Sequence, residues 1–168
     1  MIREFNNKAP RIAASAFISE AAYVVGDVEI GENASVWPGA VIRADFGKVV
    51  IGANTSVEDN CVVHGASDVI IGHDVIVGHG AVVHCSVVGN HVLIGINAAV
   101  LDGAHIGDFS IIAAGSLVKT GAKIPTHSLA SGSPAIIKGP LSPHQITRLK
   151  NGAALYVSLA QKYKNSGL

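Results

Sequence analysis

From Ile12 to Ile124 an aliphatic residue recurs at every sixth position, with small and polar residues filling the interval. One stretch reads Ile30, Val36, Ile42; the next Ile51, Val57, Val63; the next Ile71, Val77, Val83. The last runs Val88, Ile94, Val100, Ile106, Ile112, Val118, Ile124. Four residues after most of these stands a small or β-branched residue, among them Ala34, Ala40, Thr55, Cys61, Val75, Ala81, Val92, Ala98, Ala104, Ser110 and Ser116. This double pattern is the hexapeptide signature of a parallel β-helix, an all-β solenoid. Three hexapeptides make one triangular coil, and successive coils stack one strand spacing apart, about 4.8 Å.

The period also sets a register. Ile51, Ile71, Val88 and Ile106 fall in one column, A; Val57, Val77, Ile94 and Ile112 in a second, B; Val63, Val83, Val100 and Val118 in a third, C. Extra residues between Ile42 and Ile51 and between Val63 and Ile71 fall at the C-to-A turn, where a loop can bulge without disturbing the stack. One residue is missing between Val83 and Val88. The β-helix is expected over residues 12–124, with Ile12, Ile18 and Val24 in its first coil. Residues 125–141, rich in Ser, Gly and Pro, read as an exit loop. Ser142-Pro143-His144-Gln145 then forms a capping box with proline at the first helical position. Ile146, Leu149, Ala153, Tyr156, Leu159 and Tyr163 follow at spacings of three and four, predicting a C-terminal α-helix over 142–165. Its apolar stripe needs the flank of a prism, its own or a neighbour's. At 168 residues the chain reads as a single domain, 1–168.

Placed on this ruler, three of the eight histidines acquire meaning. His64 follows Val63 and His84 follows Val83, so they occupy the same place on adjacent coils, with Arg43 below them after Ile42. His79 lies two residues after Val77, at corner B, with Asp59 directly below it. One corner of a prism is too far from the next for one imidazole to reach a metal held by the other two. Either His79 is unrelated, or corner B of one chain meets corner C of another, as in a closed three-fold ring. The same seam would bring Asp59 towards Arg43 of the neighbour, a charge-assisted pair. Three neutral imidazoles with one open position are the ligand set of a catalytic zinc, which lowers the pKa of bound water to about 7.

The stretch from Val36 to Gly107 resembles the gamma-class carbonic anhydrases and their relatives. The motifs that carry the resemblance are Ile42-Arg43-Ala44-Asp45, Thr55-Ser56-Val57-Glu58-Asp59-Asn60, Val63-His64, Gly78-His79 and Val83-His84. Gly95-Ile96-Asn97-Ala98, Leu101-Asp102-Gly103-Ala104 and the Gly132-Ser133-Pro134-Ala135 exit extend it over nearly the whole chain. The resemblance implies a left-handed parallel β-helix and a homotrimer. It implies His64, His79 and His84 as metal ligands, two from one subunit and one from its neighbour. Arg43, Asp45 and Asp59 match the interface arginine and aspartates of that family, and Tyr156 matches a tyrosine near the metal. Glu58 stands where the family usually has glutamine beside the metal-bound water, and Ser56 where asparagine is common. Phe46 replaces an acidic residue, and the short loop after His64, Gly65-Ala66-Ser67-Asp68, lacks the segment that carries a proton-shuttle glutamate. The departures imply hydration limited by proton export.

Composition narrows the alternatives. Twelve basic residues balance twelve acidic ones with no basic run, which speaks against a nucleic-acid groove or an anionic membrane surface. No apolar segment reaches membrane-spanning length, and the N-terminus lacks the apolar region of a signal peptide, so a cytoplasmic protein is expected. Cys61 reads as a core residue. Cys85 reads as a buried neighbour of His84, and a disulfide between the two does not suit a reducing cytosol. His73, His91, His105, His127 and His144 are assigned no chemistry. The expected function is hydration of carbon dioxide to bicarbonate on zinc, with iron or cobalt also suited to imidazole ligands. The alternatives are a metal-dependent thioester hydrolase, a metal-free hexapeptide acyltransferase and a non-catalytic metal-binding scaffold.

Overall fold

All three columns are hydrogen-bonded parallel ladders in the computed structural model, which describes residues 1–84 and 86–167. Column A runs Ile12, Ile30, Ile51, Ile71, Val88, Ile106, Ile124. Column B runs Ile18, Val36, Val57, Val77, Ile94, Ile112, Ala130. Column C runs Val24, Ile42, Val63, Val83, Val100, Val118. From Val24 onward none of these residues is more than 5 % exposed. The small residues four positions on, from Ala34 to Ser116, are no more than 2 % exposed. The core is therefore a thin aliphatic rod down the prism axis, with the alternate, outward side chains left for partners and chemistry.

A 12-stranded sheet carries columns A and C, and an 8-stranded sheet carries column B. The first is continuous because Val41–Ile51 is one 11-residue strand that passes from column C to column A. The insertion expected to bulge there instead extends the strand and pushes Phe46 out to 74 % exposure. The second insertion does form a short connection, between Val62–His64 and Val69–Ile71.

Both ends differ from expectation. The stack starts earlier, because Ile2–Arg3 pairs in parallel with Val24 and Val25. That strand is exposed along its length, so no burial period announces it. Residues 125–141 are not a plain loop. Ser128–Gly132 adds another rung to column B, placing Ala130 on Ile112, and Ala135–Pro140 returns antiparallel to it.

The helix, Pro143–Asn165, is capped as expected: Gln145 N–H donates to Ser142 Oγ at 3.3 Å and Ser142 N–H donates to Gln145 Oε1 at 2.8 Å. It lies on the 8-stranded sheet of its own chain, across Phe17–Ile18, Ser35–Val36 and Ser56–Val57. Its buried line is Leu149, Ala153 and Ala160, with Tyr156 half-buried, whereas Leu159 is 38 % exposed at the rim. Small residues win because the helix sits close: a Cβ on Gly152 would stand 2.9 Å from Ile76 Cδ1. At the helix's far end Trp37 packs against Phe17, Tyr156 and Tyr163, with ring centroids 5.2, 6.1 and 5.1 Å away.

Candidate functional site

The residues singled out in the sequence gather into two groups on different sides of the prism. The first lies on column C. Arg43, His64 and His84 stand in register on adjacent strands, and the two imidazoles are neighbours, tilted by 57° with centroids 5.2 Å apart. Asp45, two residues on from Arg43, pairs with its guanidinium and also lies 3.0 Å from His64 Nε2. Burial alone would push the Asp45 carboxyl up; the bonds from His64 and Arg43 outweigh it and hold the carboxyl below the ordinary range. Phe46 presents its ring edge to His64 at 6.2 Å. His84 Nδ1 lies 3.0 Å from Asp102 Oδ1.

The second group lies on the column-B side. Glu58 is 4 % exposed, a buried carboxylate with specific donors. Its Oε2 accepts the His79 main-chain N–H at 3.0 Å and lies 3.2 Å from His79 Nε2. The other ring nitrogen of His79 is 3.0 Å from Asp59 Oδ2. Burial, then hydrogen bonding to Glu58 and the charges of Glu58 and Asp59, push the Tyr156 phenol well above its ordinary value. Ser56 is fully buried beneath this group. Its hydroxyl accepts Trp37 Nε1–H at 2.9 Å and Ser35 Oγ–H at 3.2 Å, so it holds the wall and does not face the opening.

The structure thus brings Arg43, Asp45, His64 and His84 together, and separately Glu58, Asp59, His79 and Tyr156. His79 does not join His64 and His84 within one chain. Among the described residues, the one group of three potential metal-ligating side chains whose ligand atoms lie within 4.8 Å of one another is elsewhere, at His73, Asp74 and His91.

The bacterial transferase hexapeptide (six repeats) family model matches residues 85–120. Gamma carbonic anhydrase 1, mitochondrial, of Arabidopsis thaliana is 36 % identical over 165 residues, 94 % of this chain. The carbonic anhydrase of Geobacillus kaustophilus is 40 % identical over 166 residues, covering 98 % of this chain and 91 % of that protein. The chain belongs to the gamma-class carbonic anhydrase family. It spans 60 % of the length of the Arabidopsis relative. A hexapeptide transferase family protein from Anaplasma phagocytophilum has the same fold as this chain, with a TM-score of 0.95 and 34 % identity over 96 % of this chain and 97 % of that one.

Two features of this gamma-class chain escaped the sequence. Asp102, 18 residues after His84 and so one coil on, supplies the carboxylate that orients that ring; the repeat ruler could have found it. Trp37 ties the helix, and with it Tyr156, to the strand that carries Ser56 and leads into Glu58. Cys61 is a free, fully buried thiol whose pKa burial pushes up to about 12, so it is packing and not chemistry. Cys85 lies outside the described residues. A cleft of about 470 Å³ opens beside the column-B group, between the helix and the sheet, lined by Glu58, His79, Ile96, Arg148 and Tyr156 among others. No helix among the described residues is long and apolar enough to cross a membrane.

Proposed function

We propose that this protein is a zinc-dependent carbonic anhydrase that works as a cytoplasmic homotrimer, interconverting carbon dioxide and bicarbonate at three sites, one on each seam. The observation that carries the reading is the division of the site into two complementary halves: a pair of neighbouring imidazoles on one side of the prism and a lone, carboxylate-flanked imidazole on another. Three-fold closure joins such halves with no further change in the chain. The outward row beside the paired histidines supports a seam there. Val41, Val62, Val82, Ala99 and Leu117 stand side by side in register, all apolar, and Val62 is 36 % exposed.

The donor set fits the ion. His64, His84 and the neighbour's His79 would hold it, three neutral imidazoles as in catalytic zinc sites, and iron and cobalt suit the same ligands. Bound there, zinc supplies a Lewis acid that makes water a nucleophile near neutral pH. The chain's own residues do the rest. Asp45 and Asp102 each engage one ring nitrogen, of His64 and of His84, fixing tautomer and orientation and leaving the other nitrogen for the ion. His79 has Asp59 on Nδ1 and Glu58 on Nε2, so its Nε2 would exchange Glu58 for the ion while Asp59 keeps the ring oriented. Glu58, held by His79 and Tyr156, orients the attacking water. Arg43 holds the seam by reaching Asp59 of the neighbour as well as its own Asp45. The short loop after His64 offers only Asp68 to carry protons outward, and Asp68 Oδ1 already accepts the Lys48 main-chain N–H at 2.8 Å.

The test is stopped-flow hydration of carbon dioxide by zinc-loaded protein at fixed pH and ionic strength, with imidazole buffer varied. Turnover is expected to rise with buffer, because buffer takes over proton export. A fast rate indifferent to buffer contradicts the assigned proton path. The 470 Å³ cleft beside Glu58 and His79 favours a second reading, since it exceeds what carbon dioxide fills and falls in the range of small-molecule sites. Hydrolysis of acyl thioesters by the zinc-loaded protein, with no hydration activity, would establish that reading instead.

A further inference from the structure

The corner between columns A and B carries a ladder of its own. From Ile30 onward, the third residue after each column-A position takes a left-handed backbone, with φ of 56° at Asp74, 52° at His91, 51° at Phe109 and 57° at His127. The rings of His91, Phe109 and His127 stack up the prism. His91 lies on Phe109 at 4.6 Å with an 18° interplanar angle, and Phe109 on His127 at 5.2 Å and 17°. His73 meets His91 edge-on at 5.1 Å. The main chain locks the two histidines together across adjacent coils: His91 N–H donates to the His73 carbonyl at 3.0 Å. His73 N–H in turn donates to Asn90 Oδ1 at 3.0 Å.

Two independent observations meet here. One ring nitrogen from each histidine and a carboxylate oxygen of Asp74 all lie within 4.8 Å of one another. In addition, His91 Nδ1 is buried without a hydrogen-bond partner, a condition shared among the described residues only by Ser86 Oγ. A buried polar atom without a partner is rare in native proteins and marks a place that an ion or water completes. The stack on Phe109 fixes the plane of the His91 ring.

We propose that His73, Asp74 and His91 form a second metal site, separate from the seam, that takes a divalent first-row transition ion such as Zn²⁺, Co²⁺ or Ni²⁺. Two imidazoles and one carboxylate suit these ions, whereas Ca²⁺ and Mg²⁺ call for oxygen ligands. The ion replaces the 2.6 Å contact between His73 Nδ1 and Asp74 Oδ2. It bridges two successive coils and leaves solvent on the open side, where the His73 side chain is 49 % exposed. Its role is to staple the stack at a corner where each turn holds a left-handed non-glycine residue.

The experiment is a Zn²⁺ titration of chelator-stripped full-length protein in competition with a chromogenic chelator, at neutral pH. His91→Phe keeps the ring stack, and Asp74→Asn keeps a residue tolerant of the left-handed turn. Each is expected to lose one equivalent per chain relative to wild type. His64→Ala/His84→Ala, which removes the column-C pair, is expected to keep that equivalent. Equal uptake by wild type and Asp74→Asn would overturn the proposal, as would complete loss of uptake in His64→Ala/His84→Ala. Should His91→Phe fail to fold, Co²⁺ absorption in the His64→Ala/His84→Ala background decides with and without Asp74→Asn. Ligand-field bands that vanish with Asp74→Asn support the site, and bands absent or unchanged overturn it.

Discussion

Replacing Glu58 by Gln takes a buried charge out of the column-B group without changing its shape. Glu58 is 4 % exposed and accepts the His79 main-chain N–H at 3.0 Å. A hydrogen bond to a charged group contributes about 1.5–3 kcal/mol and a neutral one about 0.5–1.5 kcal/mol, so the exchange at this bond costs about 1 kcal/mol. The new amide N–H₂ is met by rotating the Tyr156 hydroxyl to accept. The expected fall in Tm is about 2–4 °C for a chain of this size. The larger effect is on tyrosine. Burial, the bond to Glu58 and the nearby carboxylate charges together raise the Tyr156 phenol above its ordinary value of 10.0. A folded-state pKa above the unfolded one adds stability that is fully present below the unfolded value, here about pH 10, and is lost as pH rises through the folded value. In Glu58→Gln, burial persists but both contributions of Glu58 vanish. Tyr156 then ionises at lower pH, and the alkaline loss of stability becomes shallower. Tyrosinate absorbance and thermal melts on chelator-treated protein from about pH 7 to 12 read both effects. An alkaline tyrosine titration unchanged by the substitution would refute the coupling of Glu58 to Tyr156, and with it the assembly of this half of the site.

Trp37→Ala removes a 5 % exposed side chain from between the helix and the first coils. The expected cost is about 3–5 kcal/mol, roughly 6–20 °C in Tm, with faster proteolysis within the helix; wild-type melting would show that the aromatic cluster is not the clamp. Arg43→Ala acts on two levels. Within one chain it breaks only a partly exposed pair with Asp45, worth about 0–1 kcal/mol, and Asp59 keeps His79 as a partner. Across a dry seam the loss is roughly 3–5 kcal/mol, so the variant is expected to dissociate on dilution at higher concentrations than wild type by light scattering. Equal resistance to dilution would remove Arg43 from the seam.

The solenoid was legible because its period is its packing: each sixth residue is a rung of a buried ladder, and the register of Arg43, His64 and His84 followed from counting. Features without a burial period were not legible. Ile2–Arg3 pairs through its backbone alone with both side chains exposed. The hairpin Ser128–Pro140 is built from the Ser, Gly and Pro residues that otherwise signal a loop. On the helix, a pattern of large apolar residues chose Leu159, while the close approach to the sheet chose Ala160. The candidate site was readable one column at a time. The link of Asp102 to His84 lies one coil on and was there to be counted, whereas the meeting of His73 and Asp74 with His91 at one corner needed the stacked geometry.

The central claim is that each metal site takes His64 and His84 from one chain and His79 from the next, and subunit mixing tests it most directly. His79→Ala and His64→Ala are each expected to lose all three seam sites of the trimer. In any mixed trimer of the two, three-fold order leaves one junction where an intact His64–His84 pair faces an intact His79. Purified mixed trimers, made from differently tagged chains, are therefore expected to bind one metal ion more than either single-variant trimer and to regain about a third of wild-type carbon dioxide hydration. Mixed trimers that regain neither metal nor activity would contradict the split site, as would a monomer that binds the seam metal in full.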